Sequence, residues 1–183
     1  MTYAVKIRSV YIEPIESPVE VHTHALTDWK NRCIGRLAPS WKDYSLMDFP
    51  PPEIPFISLT DLANAPLRSI YRFWGTGLTG IFGGDYTGKT PADVPPASLG
   101  ISATGGCARL VNSRIPNCEV KEFTRKNGVL ARAVILRLPF SDDGETVNHG
   151  LNMYRFEYLE SGKLLDSFFD EIFAKIKPVD CGT

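Results

Sequence analysis

This sequence of 183 residues has no long hydrophobic run and no excess of charge of either sign. Its longest uncharged stretches, 73–84 and 94–108, are shorter than the roughly 20 residues that cross a bilayer. Lys plus Arg number 20 and Asp plus Glu 21, so the charge favours neither a nucleic acid nor a membrane as a partner. Lys6 and Arg8 interrupt the start of the chain, where a signal peptide needs an apolar run. We therefore expect a cytoplasmic protein.

Residues that ligate metals are few and widely spaced. His22 and His24 stand two positions apart on a predicted helix, so they point in different directions, and we expect both to be exposed. His149 falls in a predicted strand, as a surface or half-buried residue. The cysteines form no Cys-x-x-Cys pair and are expected as reduced thiols: Cys33, Cys107, Cys118 and Cys181. The sequence predicts no metal site and no cofactor.

Hydrophobic periodicity predicts a helix near each end of the chain. The segment 17–20 (SPVE) fits a capping box, and apolar residues then recur every four positions, which predicts a helix over 18–33. A wide apolar stripe predicts an amphipathic helix over 161–176, whose lysines lie near its end, as the helix dipole prefers.

Between these helices the sequence alternates in the way that is typical of strands. Asn127-Gly128 is a strong hairpin signal, and the long alternating run 129–140 follows it. Short helices are predicted over 77–83, 91–94 and 98–114. The predicted strands are 54–62, 68–75, 117–125, 129–140 and 146–156. Because consecutive strands joined by hairpins pair antiparallel, the predicted class is α+β.

The order of several motifs resembles a family of short, stand-alone PAS-like proteins of proteobacteria. These motifs are WxxRxxGRLAPS at 29–40, Asp43, Asp48, IPFISLTD at 54–61, YRFWGT at 71–76, GGDYTGK at 83–89 and LRLPFSDDG at 136–144. The resemblance covers about 19–158. It implies a five-stranded antiparallel sheet with short helices on one face. Together with the two helices that periodicity predicts near the chain ends, this divides the chain into an arm (1–16), a PAS-like domain with its N-terminal flanking helix (17–158) and a C-terminal helix and tail (159–183).

The resemblance implies a sensory or protein-interaction module, and it supplies no catalytic residues. A chain of this kind without an output segment would signal through a separate partner. A homodimer through the two flanking helices is expected. The alternatives are a purely structural dimerisation protein and a small nucleotide-binding enzyme.

The enzyme alternative depends on one motif. Residues 83–90 (GGDYTGKT) fit the Walker A pattern, in which backbone amides and a lysine hold phosphates. A P-loop needs a strand before it and a long helix starting at its Lys-Thr, but Pro91, Pro95 and Pro96 follow at once. We therefore expect no nucleotide binding and no enzymatic activity.

In a PAS fold, a ligand lies between the inner sheet face and the short helices. Five residues are predicted to line such a pocket: Tyr71, Phe73, Phe82, Cys107 and Val111. The sequence around Cys107 does not match the reactive-cysteine motif of flavin photosensors. The lining is mostly apolar, which favours a small apolar or aromatic ligand. The alternative is that these side chains fill the core and leave no pocket.

Overall fold

The computed structural model describes residues 7–64, 67–124 and 130–157. Within them lie strands β1 (Arg8–Ile12), β2 (Ile57–Asn64), β3 (Leu67–Trp74), β4 (Asn117–Thr124), β5 (Leu130–Phe140) and β6 (His149–Glu157). The helices are α1 (Glu20–Cys33), α2 (Thr76–Phe82) and α3 (Ala97–Ser113). Each predicted strand and helix inside these residues is present, with ends shifted by a few positions. The predicted turn Asn127-Gly128 and the helix predicted over 161–176 lie outside the described residues.

The strands form one antiparallel sheet in the order β1-β4-β5-β6-β2-β3. The described part of the chain thus has six strands, and the expectation of five was wrong. The segment that we interpreted as an arm supplies the extra strand, since β1 pairs with β4 from Arg8 opposite Glu122 to Ile12 opposite Cys118. Val10 and Ile12 pack beside Val120. β1 therefore covers backbone groups that β4 would otherwise expose at the sheet edge.

The pairing of β2 with β3 contains a β-bulge. Consecutive residues of β2 lie opposite Phe73 and Tyr71, which leaves Arg72 as an extra residue of β3. An extra residue shifts the alternation of side chains by one position. Tyr71 and Trp74 therefore pack on the same side of the sheet, whereas Phe73 packs on the other side.

Helix α1 and the proline-rich connection after it cover one face of the sheet. Trp29 is 6% exposed, and its indole Nε1 donates a hydrogen bond of 2.6 Å to the backbone oxygen of Pro139 in β5. Tyr44 and Phe140 make an edge contact with ring centroids 4.9 Å apart. The apolar stripe of the predicted helix 18–33 is therefore used within the same chain.

Helices α2 and α3 and the single turn Pro91–Asp93 cover the opposite face. Leu78, Leu99 and Leu110 are the deeply buried leucines that attach this layer to the sheet. No helix in the described part of the chain is long and apolar enough to cross a membrane.

Candidate functional site

A cavity of about 30 Å³ lies between α3 and the sheet. Its lining residues are Tyr71, Trp74, Phe82, Val94, Leu99, Ala103, Cys107, Lys121, Ala133, Ile135, Arg137, Asn152, Tyr154 and Phe156. A cavity of roughly 150 Å³ is needed to bind benzene, and a water molecule needs about 10–15 Å³. The cavity therefore has the size of about two water molecules or one small polar group.

The structure brings three of the five sequence-predicted pocket residues to this cavity. Tyr71, Phe82 and Cys107 line it. Phe73 packs against the cluster under α1, because the bulge at Arg72 turns it to the other face. Val111 packs in a separate cluster with Leu62, Leu110 and Val147.

Aromatic rings form the largest part of the wall. Trp74 makes edge contacts with Tyr71, Phe82 and Tyr86, with centroids 4.8, 5.5 and 5.2 Å apart. Tyr154 and Phe156 stack with nearly parallel rings at 5.8 Å. The expectation of a mostly apolar lining thus agrees with the structure. Sequence reasoning missed Trp74, because it did not foresee the bulge.

Two charged side chains, Lys121 and Arg137, line the cavity, and sequence reasoning missed them and their partner Glu119. Arg137 Nη2 donates to Glu119 Oε2 at 2.5 Å, and Lys121 Nζ lies 3.3 Å from Glu119 Oε1. The three side chains are only 4%, 1% and 5% exposed, in the order Arg137, Glu119, Lys121. A signal was present in the sequence: Arg137 interrupts a run of buried apolar residues over 133–140. A charge at such a position needs partners, because an isolated buried charge is very costly.

Electrostatics favour the ionised forms of Arg137 and Glu119. Burial alone would raise the pKa of Glu119, but the positive charges of Arg137 and Lys121 outweigh it and lower that pKa. Burial lowers the pKa of Lys121, and Glu119 offsets only part of that effect. With all three groups ionised, two positive charges face one negative charge, and the cluster carries a net charge of +1.

Two buried donors at the cavity lack acceptors. Arg137 Nη1 and Trp74 Nε1 have no hydrogen-bond partner among the residues that the structure describes. Both side chains line the cavity. A buried donor without a partner costs about 1–3 kcal/mol, and more when it is charged. The site therefore has unused capacity to donate hydrogen bonds.

A glycine of α3 makes room for Arg137. A Cβ placed at Gly106 would lie 2.8 Å from both Nε and Nη2 of Arg137, closer than real Cβ contacts. A Cβ at the neighbouring Gly105 would meet no atom within 4 Å. Gly106 thus lets the guanidinium group lie directly against the helix backbone.

Cys107, which the sequence predicted for this pocket, lines the cavity with its thiol buried. Burial raises the pKa of Cys107, so it is a neutral thiol near pH 7. Cys33, Cys107 and Cys118 are all free thiols, as expected, and Cys181 lies outside the described residues. No cluster of His, Cys, Asp and Glu suited to a metal ion occurs within 7–64, 67–124 and 130–157.

The histidines differ in part from expectation. His24 is exposed as predicted, but His22 is only 1% exposed, and its Nδ1 is 2.9 Å from Ser17 Oγ. The expectation of an exposed His22 was wrong, because it shares the buried side of α1. His149 is buried rather than half-buried, with Asp61 at 2.8 Å from Nδ1 and Asp142 at 3.0 Å from Nε2.

The Walker-like segment does not have the geometry of a P-loop. Gly83 ends α2, and the three-residue turn Pro91–Asp93 follows Thr90, whose hydroxyl donates to Asp93. The loop is attached to β3 instead. The amide of Gly88 donates to the oxygen of Tyr71 at 2.7 Å. Helix α2 leads directly into this loop in place of a strand, and a three-residue turn leaves it in place of a long helix, so the phosphate cradle is not formed.

No protein-family model and no curated protein matches the chain. The similar solved structures include VqmA bound to DPO, at 9% identity and TM-score 0.45, covering 55% of this chain and 52% of that VqmA chain. A light-oxygen-voltage domain with a flavin analogue follows at 12% identity and TM-score 0.47, covering 66% and 87%. The LOV domain of the blue-light photoreceptor aureochrome1 has 12% identity and TM-score 0.41, covering 62% and 90%. The chain thus spans about half the length of VqmA. TM-scores below 0.5 define neither the function nor the ligand of this chain.

Proposed function

We propose that this chain is a PAS-type sensory module that binds a small molecule in the cavity under α3 and signals through a separate partner protein. One observation carries the proposal: two side chains that line the cavity, Trp74 and Arg137, each have a buried donor that lacks an acceptor. A core that is merely filled by side chains leaves few polar groups unpaired. A bound molecule with acceptor atoms would satisfy both donors.

The fold supports this assignment. Strands β2 to β6 form an antiparallel sheet, and α2 and α3 lie in the connection between β3 and β4, as the resemblance to PAS-like proteins implies. The cavity lies between these helices and the sheet, where PAS domains hold ligands. Its walls do not contain an activated nucleophile, since Cys107 is a neutral thiol, and the proposal includes no catalysis.

The size of the cavity limits the ligand. An aromatic ligand, which the sequence favoured, needs several times the present volume of about 30 Å³, because benzene takes roughly 150 Å³. A molecule of a few heavy atoms fits with small adjustments of the rings around Trp74. A larger aromatic ligand would have to displace α3 or Phe82.

Thermal denaturation against a panel of small metabolites tests this function, with native mass spectrometry of the purified chain to detect any bound molecule. We expect at least one compound to raise the melting temperature of the wild-type protein. The same compound should not raise the melting temperature of Ala103→Leu, a variant whose larger side chain fills the cavity from α3. Asn112→Leu places the same side chain on the exposed side of α3 and should leave the effect intact. A stabilising compound that acts equally on Ala103→Leu would contradict binding in this cavity.

A homodimer is part of the proposal, through the predicted helix 161–176. The other flanking helix, α1, already packs its apolar side on the sheet of its own chain. Light scattering of the full chain should give twice the monomer mass, and a chain that ends at residue 160 should be monomeric or aggregate. An unchanged mass after this truncation would contradict the proposed contact.

A further inference from the structure

The unused donors at the cavity share one character. Arg137 Nη1 and Trp74 Nε1 are both N–H groups, and neither can accept a hydrogen bond. A ligand that satisfies both must bring acceptor atoms. A water molecule is a poor match, because it also brings two protons of its own that need acceptors. An occupant that only accepts hydrogen bonds fits these two donors better.

The charges around the cavity favour a negative occupant. β4 contributes Glu119 and Lys121, and β5 contributes Arg137, so two basic side chains face one carboxylate. The other titratable groups that interact with them are Tyr11, Tyr71, Tyr154, Cys107 and Cys118, and burial raises the pKa of each, so they are neutral near pH 7. On α3, Arg109 stacks over the Tyr11 ring at 4.0 Å and adds another positive charge nearby. Within the described residues, Glu119 is the carboxylate that compensates this cluster.

We propose that the cavity binds a small oxyanion, most simply a carboxylate of a few heavy atoms, with Arg137 Nη1 and Trp74 Nε1 as its hydrogen-bond donors. This inference rests on the proposed function of the cavity as a ligand site. It narrows the ligand class from any small molecule to an anion. A carboxylate or similar oxyanion supplies acceptor atoms only, neutralises the excess charge and fits a volume of about 30 Å³.

The geometry around Arg137 supports its role as the anion receptor. One side of the guanidinium is fixed, because Nη2 is bonded to Glu119 and the group lies against the backbone of Gly106. The other terminal nitrogen, Nη1, has no hydrogen-bond partner among the described residues, and it is the donor that we assign to the occupant. A fixed guanidinium binds an oxyanion with little loss of side-chain freedom.

Thermal denaturation with matched probes tests the charge of the ligand. Formate, acetate and nitrate are compared with acetamide, a neutral molecule of nearly the same shape as acetate, at constant ionic strength set with sodium chloride. We expect formate, acetate or nitrate to raise the melting temperature by about 2–4 °C at a concentration several times its dissociation constant. Acetamide should give no comparable rise. Equal effects of acetate and acetamide, or no effect of any of the three anions, would overturn the inference.

Variants test the two donors. Arg137→Lys keeps the charge but removes the guanidinium fork. It should raise the dissociation constant of whichever anion stabilises the wild type at least tenfold. Arg132→Lys makes the same change on the same strand, outside the cavity lining, and should bind as the wild type does. Trp74→Phe removes only the Nε1 donor and keeps a ring, and it provides the test if Arg137→Lys does not fold. Trp41→Phe makes the same change outside the cavity lining, and it should bind the anion as the wild type does. Unchanged anion binding in Trp74→Phe and in a folded Arg137→Lys would overturn the assignment.

The failure of this inference is distinguishable from failure of the proposed function. If a neutral compound stabilises the protein and Ala103→Leu abolishes the effect, the cavity is a ligand site but not an anion site. If the anions stabilise the wild type and Ala103→Leu equally, they bind elsewhere on the protein. The assignment of the cavity as an anion site is then wrong, and the anion data give no support to the cavity as a ligand site. Loss of the anion effect in both Ala103→Leu and Arg137→Lys supports both statements.

Discussion

Gly106 and Arg137 are packed so closely that a single methyl group at position 106 would lie 2.8 Å from two guanidinium nitrogens. Glycine in the middle of a helix costs about 1 kcal/mol relative to alanine. At position 106 that cost has a structural reason, because the buried guanidinium occupies the space in which a side chain would lie. The neighbouring Gly105 is exposed, and a Cβ there would have no close contact.

The two glycines should therefore respond to alanine with opposite signs. Gly105→Ala should raise the free energy of unfolding by about 0.5–1 kcal/mol through its higher helix propensity. Gly106→Ala should lower it by about 1–3 kcal/mol, because Arg137 must move away from Glu119. Urea denaturation of both variants measures the difference. Stabilisation by alanine at both positions would contradict the close packing of Arg137 on α3.

Much of the fold could be predicted from local patterns. The alternation over 129–140 and the apolar stripe of α1 depend on neighbours in sequence, and β5 and α1 occur where expected. The capping box predicted at 17–20 was wrong, because α1 begins at Glu20 with Val19 at its N-cap and no side chain caps it. The bulge at Arg72 could not be predicted, because it depends on the pairing with β2 and leaves no signature in β3 alone. It moved Phe73 away from the cavity and placed Trp74 there.

The polar part of the site was harder to predict than its aromatic part. Glu119, Lys121 and Arg137 come from two strands, and an alternating strand pattern in β4 is equally typical of a solvent-exposed face. Only the helix packed above them makes them a buried cluster. The segment 1–16 was likewise ambiguous, since β1 obtains its hydrogen bonds from β4, more than a hundred residues away.

Nucleotide binding by the Walker-like segment provides a separate test. Lys89 is exposed, and its Nζ lies 5.6 Å from the centroid of the Tyr86 ring, on a loop that is attached to β3. We expect no heat of binding when ATP and Mg²⁺ are titrated into the wild type. Micromolar binding of ATP that is lost in Lys89→Ala would contradict the conclusion that this loop forms no phosphate cradle, and it would support the alternative of a nucleotide-binding enzyme.

Buried His22 should make the protein sensitive to acid. Burial, together with the positive charge of Arg155, lowers the pKa of His22 from 6.5 to about 3. Between these values the unfolded chain binds a proton that the folded chain does not, so stability falls as the pH is lowered from 6.5 toward 3. The slope from this residue is at most about 1.4 kcal/mol per pH unit.

The acid effect can be isolated with a matched pair of variants. Unfolding free energies are measured by urea denaturation between pH 7 and pH 4.5 for the wild type, His22→Gln and His24→Gln. His22→Gln should lose part of the pH dependence, whereas His24→Gln, at an exposed position of the same helix, should retain it. Parallel pH profiles for wild type and His22→Gln would contradict the burial of this imidazole.

The charge balance of the cavity cluster predicts the relative cost of removing each of its charges. Glu119→Gln leaves Lys121 and Arg137 as two buried positive charges without a carboxylate, and should lower the free energy of unfolding by about 3–5 kcal/mol. Lys121→Met removes a cation whose pKa burial already lowers and leaves a neutral Arg137–Glu119 pair, so it should cost less than about 2 kcal/mol. Asp43→Asn, in an exposed pair with Arg36, should cost below about 1 kcal/mol. Urea denaturation ranks the three variants. A greater loss for Lys121→Met than for Glu119→Gln would show that the cluster does not carry excess positive charge, and it would remove the electrostatic reason for an anion in the cavity.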